Sequence, residues 1–597
     1  MYYKKSHIVA TLVLSLSAIA TTSCDDFLET TPDNRIEVDS EAKVLALLNS
    51  AYPVASYTRL AELSSDNVDD WNGDINGLYD HFAQQIYNWE DIYEEDNQGP
   101  ALIWQDYYAA ISAANHAIEA IDKLPASATL EAARGEALLC RAYAHFILVN
   151  LFAQNYSPQY SASDPGIPYI TKPESTLKPT YERLSVAEVY KLIEQDLLKG
   201  LSLMNEAIFE VPRYHFNNKA AYTFASRFYL FYQKPDEVIN YASLALGSNP
   251  ETVLRDYSKF EDLPTNSPWA RAQQYTSSTE RANFLLTPVH STDWQYFGPF
   301  NTGGRYNFNS EIASKEVIFC APWATDDQIQ DQFHLYVFYM SNPNKLHFPK
   351  IPYYFEEVDA NLHTGYYRTV NVTFKAEEAL LNRAEAYILK DQNALALADL
   401  NLWSGNFYID SLYYNTGDID WGAVDWNLWG TPDFEYPYIW KTTYSHNKLD
   451  MDMVNNWCNK YAYYQPTKTT PIKKLNPEFV QLTERSEKEN MLQVLLEARR
   501  LEFLQEGMRW FDIKRYNMKI YRRVVDASRG SWDIRYSVTD SLDVRDPRRA
   551  LQLPFEVMAA GLAGNRDGYK PNVTPEQSAQ YSSWIKYQTI EDAPVHE

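Results

Sequence analysis

Apolar residues recur at steps of three and four along several stretches of the chain, the period of an amphipathic helix. Between Ile103 and Leu124 the stripe is Tyr107, Ile111, Ala114, Ile118 and Ile121; between Leu130 and Phe152 it is Leu138, Ala142, Phe146 and Val149. Pro125 stands where the first of these should stop. They form a first expected helix pair. A second joins Ser185–Met204 to Lys219–Gln233, and Ser185 followed by Glu188 reads as a capping box. Pro235–Leu246 is a third block, stacking on the helix before it. The fourth joins Thr373–Leu389 to Asn393–Trp403, where Ala376, Ala379, Ala384 and Ala386 let backbones approach closely. A last helix runs from about Glu489 to Gln505, with Gly507 as its C′ residue. Residues 250–372 and 404–488 lack this period and are rich in Pro, Gly, Asn, Tyr and Trp. In the first of them Glu316–Phe319 is predicted as a short strand.

The first residues follow another logic. Lys4 and Lys5 precede a mostly apolar stretch, His7 to Ala20, and then Thr21-Thr22-Ser23-Cys24. The stretch is short for a membrane span and has the flanks of a cleaved export signal. Cleavage before Cys24 predicts lipid on its thiol, and two or more acyl chains hold a protein stably at a membrane. Thr21 stands where such signals usually carry an aliphatic residue. Nothing later is long and apolar enough to be a membrane helix, so the lipid would be the anchor.

At 597 residues the chain exceeds one typical core. The formal net charge is −26, and removing residues 1–23 takes away two lysines and no acid. That excludes nucleic acid and anionic lipid surfaces as partners, because both need a basic footprint. Beyond Cys24 the cysteines are Cys140, Cys320 and Cys458, far apart and odd in number, so no disulfide framework or Cys-x-x-Cys site follows. Cys140 lies within a helical apolar pattern and is expected to be a core thiol.

The fold class expected from these elements is mostly α. It is a helical body of four degenerate tetratricopeptide-like helix pairs with an inserted loop-rich subdomain containing short strands. The motifs within them resemble the SusD/RagB-like outer-membrane nutrient-binding lipoproteins of Bacteroidetes. Cys24-Asp25-Asp26-Phe27-Leu28-Glu29 with Pro32 resembles the family's mature N-terminus. Arg141-Ala142-Tyr143-Ala144-His145-Phe146 with Leu151-Phe152 resembles its first repeat, and Lys219-Ala220-Ala221 with Arg227-Phe228-Tyr229-Leu230 its second. Asn382-Arg383-Ala384-Glu385-Ala386-Tyr387 and Ala398-Asp399-Leu400-Asn401 resemble the late repeat. The most specific match is Ala498-Arg499-Arg500-Leu501-Glu502-Phe503 followed by Glu506-Gly507-Met508-Arg509-Trp510-Phe511-Asp512-Ile513-Lys514-Arg515. Within it Arg500 with Glu497, and Arg499 with Glu502, are spaced for ion pairs on one helix face. Their expected role is structural, since no nucleophile or metal set accompanies them.

The resemblance implies a lipoprotein signal (residues 1–23), an N-terminal helical region (24–250), a loop-rich insertion (251–372) and a C-terminal region (373–597). It also implies a non-enzymatic, cell-surface protein in the outer membrane. Such a protein binds oligosaccharides and delivers them as a lid to a SusC-like TonB-dependent transporter barrel. A peptide-binding lid and a surface glycoside hydrolase are the alternatives. A sugar site needs flat aromatic platforms for C–H faces and polar groups for hydroxyls. The expected ligand-binding residues are Trp71 and Asn72 within the polar run Asp66–Asp74, Trp89, Trp294 and Tyr296, Arg305 beside Gly303-Gly304, and Trp323. A Trp-rich segment from Trp421 to Trp440 is either a second binding surface or a packing insert. No cofactor or metal is expected: Asn72–Gly77 has oxygen ligands at an EF-hand-like spacing, but Ala83 stands where the bidentate Glu belongs. There is no Gly-x-Ser-x-Gly, His-Glu-x-x-His, P-loop or dinucleotide fingerprint.

Overall fold

The computed structural model describes residues 38–71, 81–92, 98–174, 181–264, 267–300, 305–324, 333–340, 344–359, 361–409, 413–415, 440–442, 448–466, 469–526 and 535–581. Cys24, Asn72 and most of the Trp421–Trp440 segment lie outside them.

The helical body is built from α1 (Pro100–Lys123), α2 (Ala128–Phe152), α3 (Val186–Leu203), α4 (Asn218–Phe231) and α5 (Pro235–Leu246). Two short helices follow, α6 (Pro268–Tyr275) and α7 (Asp293–Phe297), then α8 (Ala376–Leu389), α9 (Asn393–Phe407), α10 (Glu487–Glu502) and α11 (Met508–Arg515). The boundaries follow local chemistry. Ser185 caps α3: its hydroxyl accepts from the Glu188 N–H at 3.2 Å while the Glu188 carboxylate accepts from the Ser185 N–H at 2.9 Å. Ser127 and Asn217 cap α2 and α4 in the same way, each accepting a backbone N–H three residues on.

Pairing departs from expectation at α3, which packs chiefly on α2 rather than on α4. Gly135 and Gly200 explain the preference. A Cβ on Gly200 would lie 3.0 Å from the Gly135 carbonyl oxygen, and one on Gly135 would lie 2.9 Å from the Met204 nitrogen. The two helices therefore touch backbone to backbone, which larger residues forbid. Helices α2 and α4 meet instead through long aromatic side chains: Phe146 contacts Phe224, Phe228 and Phe231 edge-on at 5.1–6.2 Å between centroids. Helix α5 stacks on α4, and α8 packs against α5, α9 and α10.

Seven strands form two principal sheets: β1 (Asp69–Asp70), β2 (Asn283–His290), β3 (Tyr306–Asn307), β4 (Tyr354–Asp359), β5 (Thr364–Lys375), β6 (Ile520–Asp526) and β7 (Arg535–Leu542). One sheet has the order β2-β5-β4, all antiparallel. The other, β7-β6-β1-β3, joins segments from the start, middle and end of the chain. Two expectations are corrected here. The segment from Thr373 to Lys375 is strand, not helix, because the alternating β-branched run Thr369-Val370-Asn371-Val372-Thr373 carries β5 on to Ala376. Residues Glu316–Phe319 are not a strand; they form the turn that follows a short helix, Ser310–Lys315.

The Arg-rich motif is structural, through partners other than those its spacing indicated. Neither expected intrahelical pair is made. Arg499 pairs with Asp512 at 2.8 Å, and Arg515 forks onto Glu385 at 2.8 and 3.0 Å. Arg509 makes a bidentate pair with Asp66 at 2.8 and 2.9 Å, and Lys473 bridges Asp66 and Glu316 at 2.9 and 2.8 Å. Arg500 adds a looser contact to Glu316 at 3.4 Å, and Arg523 holds Glu316 and Asp69 at 2.8 and 2.9 Å. All of these side chains are buried. Burial alone would raise the Asp66 carboxyl, but Arg500, Arg509 and Lys473 hold it well below the usual carboxylate range. Gly507 also differs from expectation: it is the left-handed N-cap of α11, with φ 78°, and not the C′ residue of α10.

Asp66→Ala strips Arg509 and Lys473 of a buried carboxylate. It should reduce unfolding free energy by about 3–5 kcal/mol. Urea denaturation followed by tryptophan fluorescence measures this, and a loss below about 1 kcal/mol would contradict the role assigned to Asp66.

Candidate functional site

An aromatic cleft opens beside the β2-β5-β4 sheet. It encloses about 130 Å³ and is lined by Trp269 and Ala272 from α6, Trp294 and Phe297 from α7, Phe300, and His347, Phe348, Pro349, Ile351 and Tyr353. Each wall has a local cause. Pro268 at the first turn and the Ser267 hydroxyl, which accepts from the Ala270 N–H, start α6. Asp293 anchors α7: it accepts from the Ser56 hydroxyl at 3.0 Å and the Gln98 amide at 2.6 Å. This fixes the next residue, Trp294, over the cleft. At Gly298 the chain folds back so tightly that a Cβ would sit 2.3 Å from the Trp294 carbonyl oxygen. The buried Lys345 ammonium then donates to the Tyr296 and Phe300 carbonyls at 2.9 and 2.7 Å, tying that loop to the wall that carries His347. Burial brings the Lys345 pKa down to about 7.

The rings form a stacked shelf. Trp294 lies on Tyr353 with centroids 4.1 Å apart and planes 21° apart, and Phe300 meets Trp294 edge-on at 4.5 Å. Trp269 contacts Tyr353 at 4.7 Å, and Tyr367 reaches Trp294 at 5.4 Å. The shelf continues onto the hairpin of β4 and β5. The strand period sets Phe355 opposite Tyr367 at 5.3 Å, and the opposite face carries Tyr354 and Tyr366. These side chains are open to solvent: Phe355 is 48% exposed and Tyr366 55% exposed. Glu356 pairs with Arg368, and Glu357 with His363, which places carboxylates and donors around the aromatic surface. Such a surface presents flat π faces rimmed by hydrogen-bonding groups.

The residues expected from sequence distribute unevenly. Trp294 lies in the cleft. Tyr296, two residues on, is buried beneath the Arg59 guanidinium at 4.0 Å. Trp71 and Arg305 meet each other on the β7-β6-β1-β3 sheet. The Trp71 N–H donates to the Arg305 carbonyl at 2.7 Å, and Arg305 grips Asp70 with bonds of 2.7 and 2.8 Å. Neither lines the cleft that holds Trp294. Trp89 is a core residue whose indole N–H donates to the Ser64 carbonyl at 2.9 Å and whose ring carries Arg522 at 3.9 Å. Trp323, 2% exposed, packs edge-on against Trp403 at 5.2 Å. Sequence reasoning missed Trp269, Phe300, Tyr353, Phe355, Tyr366, Tyr367 and His347. The runs Tyr353-Tyr354-Phe355 and Tyr366-Tyr367 carried a signal, because adjacent aromatics in a strand must place a ring on each face.

A smaller cavity of about 60 Å³ lies between helical body and sheet, among Tyr57, Tyr143, Arg227, Glu378 and Glu506. Its charges are spoken for. Arg227 is paired with Glu378, and Lys375 bonds Glu506 at 2.7 Å. Burial would raise the Glu506 carboxyl, but Lys350 and Lys375 bring it down to about 2. Among the described residues no group of three or more His, Cys, Asp or Glu side chains is placed to hold a metal. Among them, too, no helix is long and apolar enough to cross a membrane.

Trp323→Ala should cost about 3–5 kcal/mol of stability, whereas Phe355→Ser should stay within about 0.5 kcal/mol. Chemical denaturation compares the two, and equal losses would contradict the division into core and surface aromatics.

Comparison with known proteins gives this geometry a context. Residues 26–230 match the model of a SusD-like family described as starch-binding and associating with the outer membrane. The whole fold is shared with solved structures. A SusD superfamily protein from Bacteroides vulgatus is 16% identical, with a TM-score of 0.57 over 88% of this chain and 98% of that one. A SusD superfamily protein from Bacteroides thetaiotaomicron is 17% identical, with a TM-score of 0.54 over 88% and 100%. A SusD-like carbohydrate binding protein from Bacteroides vulgatus is 13% identical, with a TM-score of 0.52 over 87% and 96%. At these identities the likeness is one of fold. No curated protein matches the chain.

Proposed function

We propose that this chain, SusD-like over residues 26–230 and SusD-like in its whole fold, is a non-enzymatic nutrient-binding protein of the outer-membrane surface that captures oligosaccharides. The observation that carries this reading is the exposed aromatic shelf of Tyr353, Phe355 and Tyr367 beside Trp294, with Glu357 and its partner His363 at its edge. A pyranose ring stacks its C–H face on such a surface, while its hydroxyls exchange water for carboxylate and imidazole partners. The starch-binding description of the matching family and the carbohydrate-binding description of a structural neighbour support the same ligand class. Trp71 and Arg305, joined through their backbones on the other sheet, are candidates for a second contact region.

In this reading lipid on Cys24 tethers the protein to the outer membrane, and the bound sugar passes to a SusC-like TonB-dependent transporter barrel. The sequence Lys4 to Cys24 supports the tether. A peptide ligand is the second reading. It is favoured by one observation: β4 is an edge strand of its sheet and offers a ladder for strand addition.

Calorimetric titration with soluble starch fragments and other plant and host oligosaccharides tests the ligand class. Each ring stacked on the shelf is worth about 0.5–1.5 kcal/mol, so Tyr353→Ala and Tyr367→Ala should each weaken binding about 3- to 10-fold. Unchanged affinity in both variants, binding of peptides with no glycan, or release of cleaved sugar would each overturn the assignment. Metabolic labelling with a palmitate analogue should mark the wild type and be lost in Cys24→Ala; persistent labelling would refute the tether.

A further inference from the structure

The cleft behind the shelf differs chemically from the shelf itself. Its lining is aromatic, proline and aliphatic, and no carboxylate, ammonium or guanidinium group lines it. Two of its polar side chains lack partners among the described residues: neither ring nitrogen of His347 is hydrogen-bonded, and nor is the Trp294 indole N–H. His347 is 1% exposed and Trp294 is 7% exposed. Burial, with the Lys345 charge nearby, lowers the His347 pKa to about 3, so the imidazole is neutral at physiological pH. A neutral imidazole has one donor and one acceptor.

A sugar ring fits this environment poorly. It carries hydroxyls around its whole rim, and each one buried without a partner costs about 1–3 kcal/mol. The cleft has too few polar groups to satisfy them. Its size points elsewhere: about 130 Å³ is close to the roughly 150 Å³ apolar cavity that holds benzene. From these observations we infer that the cleft formed by Trp294, Trp269, Phe297, His347 and Tyr353 takes a single aromatic ring, carried by the oligosaccharide as an aryl ester or ether. This rests on the glycan reading above. The sugar lies on the open shelf and the aryl group enters the cleft.

The test uses the full chain, labelled with 5-fluorotryptophan and observed by ¹⁹F NMR, with the Trp294 resonance identified by its loss in Trp294→Phe. Phenol and 4-hydroxyphenyl β-glucoside should shift that resonance saturably, and glucose should not. The aryl glucoside should bind at least about 5-fold more tightly than phenol, because its sugar reaches the shelf. Ala272→Met, which narrows the cleft, should weaken both at least about 10-fold. Benzene should shift the Trp294 resonance of the wild type as well, a readout independent of how well Ala272→Met folds. An unmoved Trp294 resonance with every aryl probe would overturn the inference while leaving oligosaccharide capture on the shelf standing. Tighter binding of N-acetyltyrosinamide than of the aryl glucoside would overturn the glycan source of the ring. Aryl binding in a protein that takes no oligosaccharide would overturn the glycan reading with it.

Discussion

A lattice of buried charge holds the distant parts of this chain together. Asp66, Asp69 and Glu316 supply its carboxylates, and Lys473, Arg500, Arg509 and Arg523 its cations. These residues come from segments hundreds of positions apart, and none of the charges can leave its partners without being stranded in a low-dielectric interior. Apolar contacts are tolerant of small shifts, whereas forked guanidinium–carboxylate pairs fix direction as well as distance. The helical stack alone would leave the register of helix against sheet loosely set; the lattice sets it. Glu497, close to the same cations, shows the limit. Burial raises its pKa to about 8 despite Arg500, Arg509 and Lys473, so at neutral pH it is mostly a neutral acid and the lattice keeps its positive balance.

That rigidity reaches the aromatic shelf through its two strands. The last residue of β5, Lys375, is clamped by Glu502 at 2.8 Å and Glu506 at 2.7 Å, at the C-terminal end of α10 and just beyond it. Lys350, just before β4, donates to the Glu502 carbonyl as well. Both strands that carry the shelf are therefore rooted in the segment that also supplies Arg499 and Arg500. Among the described residues the hairpin tip has no such ties, and residues such as Tyr366 and Phe355 are half exposed. A rigid base with a sparsely packed tip is what a binding surface requires: ring positions are fixed where they stack, and the outer side chains adapt.

Much of the helical body was legible in the sequence because a helix writes its buried face into a local period. The stripes of α1 and α2, the capping box at Ser185 and the alanines of α8 all lie within one turn or a few of their partners. What was not legible is non-local. Arg499 and Arg500 have acids at helical spacing, yet they choose Asp512 and Glu316, because buried arginines need partners on the facing element and intrahelical pairs point along the surface. The aspartates of the run beginning at Asp66 looked like a polar rim for a ligand. Asp66, Asp69 and Asp70 instead face inward to Arg509, Arg523 and Arg305. Tryptophans misled for a related reason. A Trp in a loop reads as a platform, but Trp89 and Trp323 use their large apolar area to fill the core, while Trp294 lines a cleft together with Trp269. Tyrosine does more of the exposed work, and its amphipathic ring at a strand surface has no distinguishing local period.

The same separation of parts leaves the shelf free to vary without loss of the fold. The lattice, the glycine crossing of α2 and α3 and the aromatic seam between α2 and α4 fix the backbone with few side chains. The shelf residues outside them contribute little to the core, so the fold can retain its stability while rings and rim charges on the hairpin change. The cleft is more constrained. Trp294 depends on Asp293 for its anchor, on Gly298 for the fold-back and on Lys345 for the loop that closes over it. A feature that needs three separate supports is harder to alter than a row of exposed tyrosines. The open shelf offers ring faces with little enclosure, and the cleft beside it adds walls on several sides, where a buried hydroxyl without a partner is penalised.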